Sequence, residues 1–275
     1  MPRYYPKKSS QTESLHVLQT QKNSYLLTIR ESEWSTLLYI GGTNYYCLEC
    51  QIFKDNPLAN LAKIEYNASC SLTGKFERGH DVFVILSLVM TYIKENYKHI
   101  TTLLFDDYSY RNCSSSLEID LAPFHYAIDG KTWYMSKLNA YFIEKSEELE
   151  FLAKDTQFQA SKSTTSWEKY DSLVTTPHPL PIDNMITIYS ESETWKDFFS
   201  RIRQTMPIET LCTYMAPWIT NFIKNQAKIN FTSYKFAIDV PNPKLQPVEY
   251  TILPYSVGGK HTRKNIRKRR GRDLH

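Results

Sequence analysis

Apolar side chains recur at period two in the first third of the chain, and the period then changes within a few residues. Tyr25–Ile29, Leu37–Ile40 and Tyr45–Phe53 read as short strands. The clearest alternation runs from Ile64 to Leu72: Ile64, Tyr66, Ala68, Cys70 and Leu72 interleave with Glu65, Asn67, Ser69 and Ser71, which predicts a strand with one apolar face. From Asp81 to Tyr97 the spacing becomes helical, with Val82, Ile85, Leu86, Val89, Tyr92 and Ile93 on one side and Asp81 able to cap the start. An apolar run, Thr102–Phe105, follows. Strand, helix and strand in that order predict a right-handed crossover between parallel strands.

Beyond this unit the pattern predicts a polar loop over Asp107–Ser116, a helix over Ala122–Leu138 bent at Asp129-Gly130, and a strand over Ala140–Ile143. Residues 151–190 are polar, with Pro177, Pro179 and Pro181 close together, and read as a linker or extended segment. Two helices come next. Trp195, Phe198, Phe199 and Ile202 share a face of the first, and Pro217 bends or splits the second, Ile208–Ile223. A strand near Tyr234–Val240 and a proline-spaced extended stretch complete the body. The expected organisation is a polar arm (1–20), an α/β domain (21–150), the linker (151–190), a helical and extended C-terminal region (191–257) and a basic tail (258–275).

The 275 residues are 41% hydrophobic and 23% charged, which excludes global disorder. The net charge of +4 hides an asymmetry. The tail carries Lys260, Arg263, Lys264, Arg267, Lys268, Arg269, Arg270 and Arg272 against the single acid Asp273, so the remainder holds 25 bases and 28 acids. Such a tail is expected to be disordered alone and to bind polyanions, either nucleic acid or an acidic protein surface, with affinity that falls as salt rises. The aromatic helices, with Trp195, Phe198, Phe199, Trp218 and Phe222, are expected to pack on the sheet, or in a sharper reading to dock a protein partner. The longest apolar stretch, Val82–Ile93, falls short of a bilayer span, and no signal peptide is read at the N-terminus. Five cysteines form an odd, sparse set that predicts no disulfide framework and a reducing compartment. Cys47 and Cys50 form a lone C-x-x-C inside an apolar strand. They read as core residues, and no metal cofactor is expected.

The turn before the long helix, Gly74-Lys75-Phe76-Glu77-Arg78-Gly79-His80-Asp81, carries the most chemistry. A strand–turn–helix junction presents backbone N–H groups at the positive end of a helix, a ready anion site. Gly74 and Gly79 have the offset of a Walker A loop, but His80-Asp81 stands where that motif needs Lys then Ser or Thr. Glu65, and Asp106 with Asp107 at the end of the following strand, are candidate proton acceptors. His125 is a further titratable group of the same region.

The same junction resembles that of the GNAT-type N-acetyltransferases, which place Arg/Gln-x-x-Gly-x-Gly/Ala between a strand and a helix. Trp133-Tyr134-Met135-Ser136-Lys137-Leu138 is similar to the family's later aromatic–Tyr–x–Lys–Leu run. The resemblance covers roughly residues 21–150 and departs from the family pattern at Phe76 and at Asp81. It implies an α/β fold with a GNAT-like mixed sheet and acetyl-CoA as the cofactor. Its diphosphate would be held by amides around Arg78, Gly79, His80 and Asp81. Tyr134 would be the acid for the leaving thiolate, and Glu65 would be the base. The implied activity is acyl transfer to an amine. The alternative is a non-catalytic scaffold of the same fold that works through its tail. Gly258-Gly259 followed by Lys/Arg runs is similar to C-termini of large nucleocytoplasmic DNA virus proteins, which implies a viral protein of the host cytoplasm, nucleus or virion.

Overall fold

The computed structural model describes residues 11–65, 67–73, 80–114 and 117–255. The chain divides into two compact units, residues 1–105 with 238–275, and residues 106–237.

The first unit is built from hairpins. β1 (Thr12–Gln19), β2 (Ser24–Glu31), β3 (Ser35–Gly41), β4 (Tyr46–Phe53) and β5 (Leu58–Ile64) form an antiparallel meander. β6 (Thr102–Asp106) then adds in parallel to β5. The intervening α1 (His80–Asn96) is the crossover that a parallel pair requires. Alternation puts Tyr25, Leu27, Leu38, Ile40, Leu48 and Ile52 in the core, and α1 contributes Ile85, Leu86, Val89 and Ile93 to it. The arm expected over residues 1–20 contains β1. The proline-spaced stretch near the C-terminus contains a further strand, Thr251–Pro254, which pairs with β1 through His16↔Pro254 to Gln19↔Thr251. Val240 donates to the carbonyl of Thr101, so the chain after residue 239 lies beside the start of β6.

The strand predicted over Ile64–Leu72 is absent. Pairing starts at Leu58 and β5 ends at Ile64. Asn67 accounts for the difference: its side-chain oxygen accepts from Ser69 N–H at 2.8 Å and its carbonyl from Cys70 N–H at 3.0 Å, closing a 3-10 turn over Ala68–Cys70. A local Asx bond competes with the ladder, and the alternation of small residues around it is coincidental. Asp81 is also displaced from its expected role. Because α1 begins at His80, it lies within the first turn rather than before it.

The second unit is mainly helical. Its order is a hairpin of β7 (Tyr110–Ser114) and β8 (Leu117–Asp120), then α2 (Leu121–Asp129), α3 (Trp133–Leu138), β9 (Tyr141–Phe142), α4 (Lys145–Thr164), α5 (Trp167–Asp171), α6 (Ile182–Glu191), α7 (Trp195–Thr205) and α8 (Ile208–Ile219). β10 (Lys235–Asp239) pairs antiparallel with β9 through Phe236↔Phe142, and β11 is the terminal strand Thr251–Pro254 of the first unit. The break expected at Asp129-Gly130 is present. Gly130 sits at φ 70°, a left-handed C-cap whose N–H reaches Tyr126 O. The loop expected over Asp107–Ser116 instead contains β7.

Residues 151–190, expected as extended, are mostly helical. In α4 the buried residues Phe151, Phe158 and Lys162 lie on one stripe, while the other faces are charged and stitched by Lys145–Glu148 and Lys154–Glu150 pairs. A helix with so narrow an apolar stripe reads as polar on average. Pro217 lies within α8, and the turn that follows, Thr220–Gln226, widens to π geometry. The core is aromatic: Trp195, Phe198, Phe199, Trp218 and Tyr170 are all buried, and Trp218 stacks on Phe222 at 4.7 Å.

Candidate functional site

In the first unit, the site predicted from the sequence lies at the helix end of the β5–α1–β6 crossover. The β5–β6 ladder runs only from Leu58↔Thr102 to Asn60↔Leu104, although β5 continues to Ile64 and β6 to Asp106. A register change lies on the other side of β5. Its register with β4 shifts between Lys63, opposite Glu49, and Leu61, opposite Cys50, so Ala62 is an extra residue. A bulge bends and over-twists its strand, and this one falls where β5 and β6 stop pairing. Parallel pairing therefore stops short of the ends of both strands, on the side from which α1 starts.

Arg78 and Gly79 lie outside the described residues, and of His80 only its place as the first residue of α1 is described. Asp81 is 5% exposed in the first helical turn, where a carboxylate complements the positive end of the helix. Its charge is felt at Tyr25: burial pushes that phenol up to about 12, against a hydrogen bond with Asn23, and Asp81 adds to the rise. Glu65 follows β5, with its N–H bonded to Cys47 O, and its carboxylate pairs with Lys63 at 2.5 Å. Burial raises its pKa. The ammonium of Lys63 also sits 4.6 Å over the Tyr45 ring and 4.8 Å over that of Tyr46. Glu65 is thus held by a cation, a different setting from the open cleft face expected of a base.

In the second unit, Asp107 is 3% exposed. Its Oδ1 accepts from Ser109 N–H at 3.1 Å and from the Ser109 hydroxyl, while Oδ2 is buried without a hydrogen-bond partner among the described residues. Burial raises the Asp107 pKa; the Ser109 bonds and the His125 ring oppose the rise and Asp120 adds to it. Tyr134 lies near it on α3, 8% exposed, and burial followed by the Asp107 charge drives its phenol well above the ordinary value. A phenol so placed stays protonated, as a proton donor must. Thr132 caps α3 through Met135 N–H, which orients this helix. The structure therefore brings Asp107, Tyr134 and His125 into one neighbourhood. Glu65 belongs to the first unit.

Two features escaped the sequence. The first is a hydrogen-bonded series in the second unit: Asp171 Oδ1 to His178 Nε2 at 2.6 Å, His178 Nδ1 to the Tyr214 hydroxyl at 3.1 Å, and Tyr214 to the Tyr170 hydroxyl at 2.7 Å. The order of groups is that of a proton relay, but Tyr214 is 3% and Tyr170 0% exposed, so the inner members offer no face to a substrate. It satisfies buried polar groups inside an aromatic core. The second is cysteine pairing, which corrects the expectation of no disulfides. Cys47 bonds to Cys70 and Cys113 to Cys212, across 23 and 99 residues, and only Cys50 is a free thiol among the described residues. Spacing in the sequence gives no sign of either pair. Burial pushes the Cys50 thiol up to about 12, which keeps it unreactive.

No described helix is long and apolar enough to cross a membrane. Comparison with family models, with curated proteins and with solved structures finds no match in any of the three.

Proposed function

We propose that the chain is an acyl-CoA-dependent N-acyltransferase with a GNAT-like core. The observation that carries this reading is that β5–β6 pairing stops at Asn60 and Leu104, short of the strand ends, on the side from which α1 starts. Beyond the ladder the facing edges of β5 and β6 would offer N–H and C=O groups to an extended, amide-bearing ligand, much as an added strand would engage them. The start of α1 supplies amides for a diphosphate. Acetyl-CoA has both parts, and bound there it would supply the acyl thioester. The residues assigned to hold it are Arg78, Gly79 and His80 with the first turn of α1. The resemblance assigns Tyr134, which burial and the Asp107 charge keep protonated within the second unit, as the acid, and Glu65 of the first unit, paired with Lys63, as the base.

Asp81 favours a second reading. A buried carboxylate in the first turn already offsets the positive helix end and disfavours a diphosphate beside it. On that reading the chain is a non-catalytic scaffold of the same fold, and its basic tail binds nucleic acid or an acidic protein.

Calorimetric titration with acetyl-CoA separates the two. The enzyme reading expects micromolar binding that Gly79→Val abolishes and Tyr134→Phe leaves intact while slowing acyl transfer. No heat at millimolar acetyl-CoA overturns it in favour of the scaffold.

A further inference from the structure

The β7–β8 hairpin is a thin element on its own. Among its described residues only Ile119, 3% exposed, is buried, and a two-stranded hairpin with so little core is marginal in water. Its base is well anchored: Leu121 N–H bonds Ser109 O at 2.8 Å, Asp107 holds Ser109, and Lys224 pairs with Asp120. The body of β7 is attached differently. Asn112 faces Glu118 and Ser114 faces Leu117, so Cys113 is a bulged residue with no place in the ladder. A bulge re-aims its side chain, and this one delivers the Cys113 sulfur to Cys212 on α8. Beside it, Arg111 pairs with Glu209 at 2.7 Å, but Glu209 is 65% exposed and such a surface pair contributes little.

We propose that Cys113–Cys212 is a redox latch: a dithiol reductant opens it and frees β7 and β8 from α8 while the rest of the second unit stays folded. Access favours this bond over the other. Cys113 is only half-buried, whereas Cys47 and Cys70 are 1% and 0% exposed. The reductant's thiolate attacks the Cys113 sulfur, and the S–S electron pair leaves on Cys212, which takes a proton. The reductant's second thiol then displaces Cys113 as a thiol. Two protein thiols and one reductant disulfide result, so two electrons and two protons are balanced. The aromatic core around Trp195 and Trp218 uses neither cysteine and holds the unit together in the reduced state.

The full-length protein is treated with rising dithiothreitol, its thiols are trapped with iodoacetamide and located by peptide mass spectrometry, and amide hydrogen exchange is followed in parallel. Alkylation of Cys113 and Cys212 is expected while Cys47 and Cys70 remain joined, and exchange over 110–114 and 117–120 is expected to speed by about tenfold or more while α7 and α8 keep their protection. The double variant Cys113→Ser/Cys212→Ser reproduces this exchange without reductant. Three results would each overturn the proposal: Cys113 alkylated in the untreated protein, hairpin exchange unchanged by reduction, or loss of α7 and α8 protection together with the bond.

Discussion

Lys162 shows how a single side chain can be both costly and necessary. It is 5% exposed with no carboxylate bonded to it; its ammonium donates to Tyr189 O at 2.9 Å and Ser192 O at 3.2 Å, and lies 3.4 Å over the Tyr189 ring. These carbonyls end α6, so the cation caps a helix C-terminus and complements its dipole. Burial lowers its pKa, and Asp197 opposes that. A lowered lysine contributes stability that is present above its ordinary pKa and is lost as pH falls through the folded value. Removing it strands the Ser192 carbonyl, leaves Tyr189 O with Ser192 N–H alone and opens a cavity, so Lys162→Ala is expected to cost about 2–4 kcal/mol in urea unfolding at pH 7. Asp107 has the opposite sign. Its raised carboxyl contributes stability below the ordinary carboxylate pKa that is lost as pH rises through the folded value. Asp107→Asn keeps the acceptor for Ser109 and removes the buried charge. It is expected to raise Tm at pH 7, with the gain vanishing as the pH approaches the ordinary carboxylate range. A constant gain at all pH values would place the effect elsewhere.

Among elements, the pairing of α5 with α8 turns on Tyr170 and Tyr214. Tyr214→Phe leaves both the Tyr170 hydroxyl and His178 Nδ1 short of a partner, and is expected to cost about 2–3 kcal/mol. Tyr170→Phe removes one end only and is expected to cost about 1 kcal/mol. Because the groups share one bond, the double variant should be no worse than Tyr214→Phe alone, a coupling read from a double-mutant cycle. The turn joining β3 to β4 is equally constrained. A Cβ on Gly42 would lie 2.1 Å from Ser69 O, a backbone atom, so Gly42→Ala should push the Ala68–Cys70 turn away and destabilise the first unit in thermal unfolding. How legible an element was depended on how many of its neighbours were local. β2, β3, β4, α1 and α7 follow their periods because each buries one clear face. Residues 64–72 alternate yet are not a strand, since Asn67 satisfies the backbone locally. α4 has too few apolar positions to announce itself; β7 and β8 are short and bury only Ile119 among their strand residues, and β11 pairs with β1 at the other end of the chain.

At the scale of the molecule, each unit carries one disulfide of its own, and the charge is unevenly placed. The tail holds eight Lys/Arg against one acid, and the body is mildly acidic. Deleting residues 258–275 is expected to abolish salt-sensitive binding to DNA, since affinity of this kind scales with the number of phosphates neutralised. A truncated protein that binds DNA with the same salt slope would move the polyanion site to the body. The crossover that carries the candidate site was legible as a helix between two parallel strands, but its first strand was read at Ile64–Leu72 and lies at Leu58–Ile64. The Ala62 bulge and the end of the β5–β6 ladder were not, because both are set by register against β4 and β6. The setting of Tyr134 beside Asp107 was also hidden, because burial and a neighbour's charge are properties of the packed chain.

By itself the sequence determined the strand-rich first third, the crossover helix, the aromatic helical pair and the basic tail, because these depend on side chains a few residues apart. Tertiary structure alone decided the two disulfides, the Asp171–His178–Tyr214–Tyr170 series, the polar helix α4 and where the β5–β6 ladder ends. Each joins groups far apart in the chain, and their free energy exists only once folding has brought them into contact and excluded water from between them.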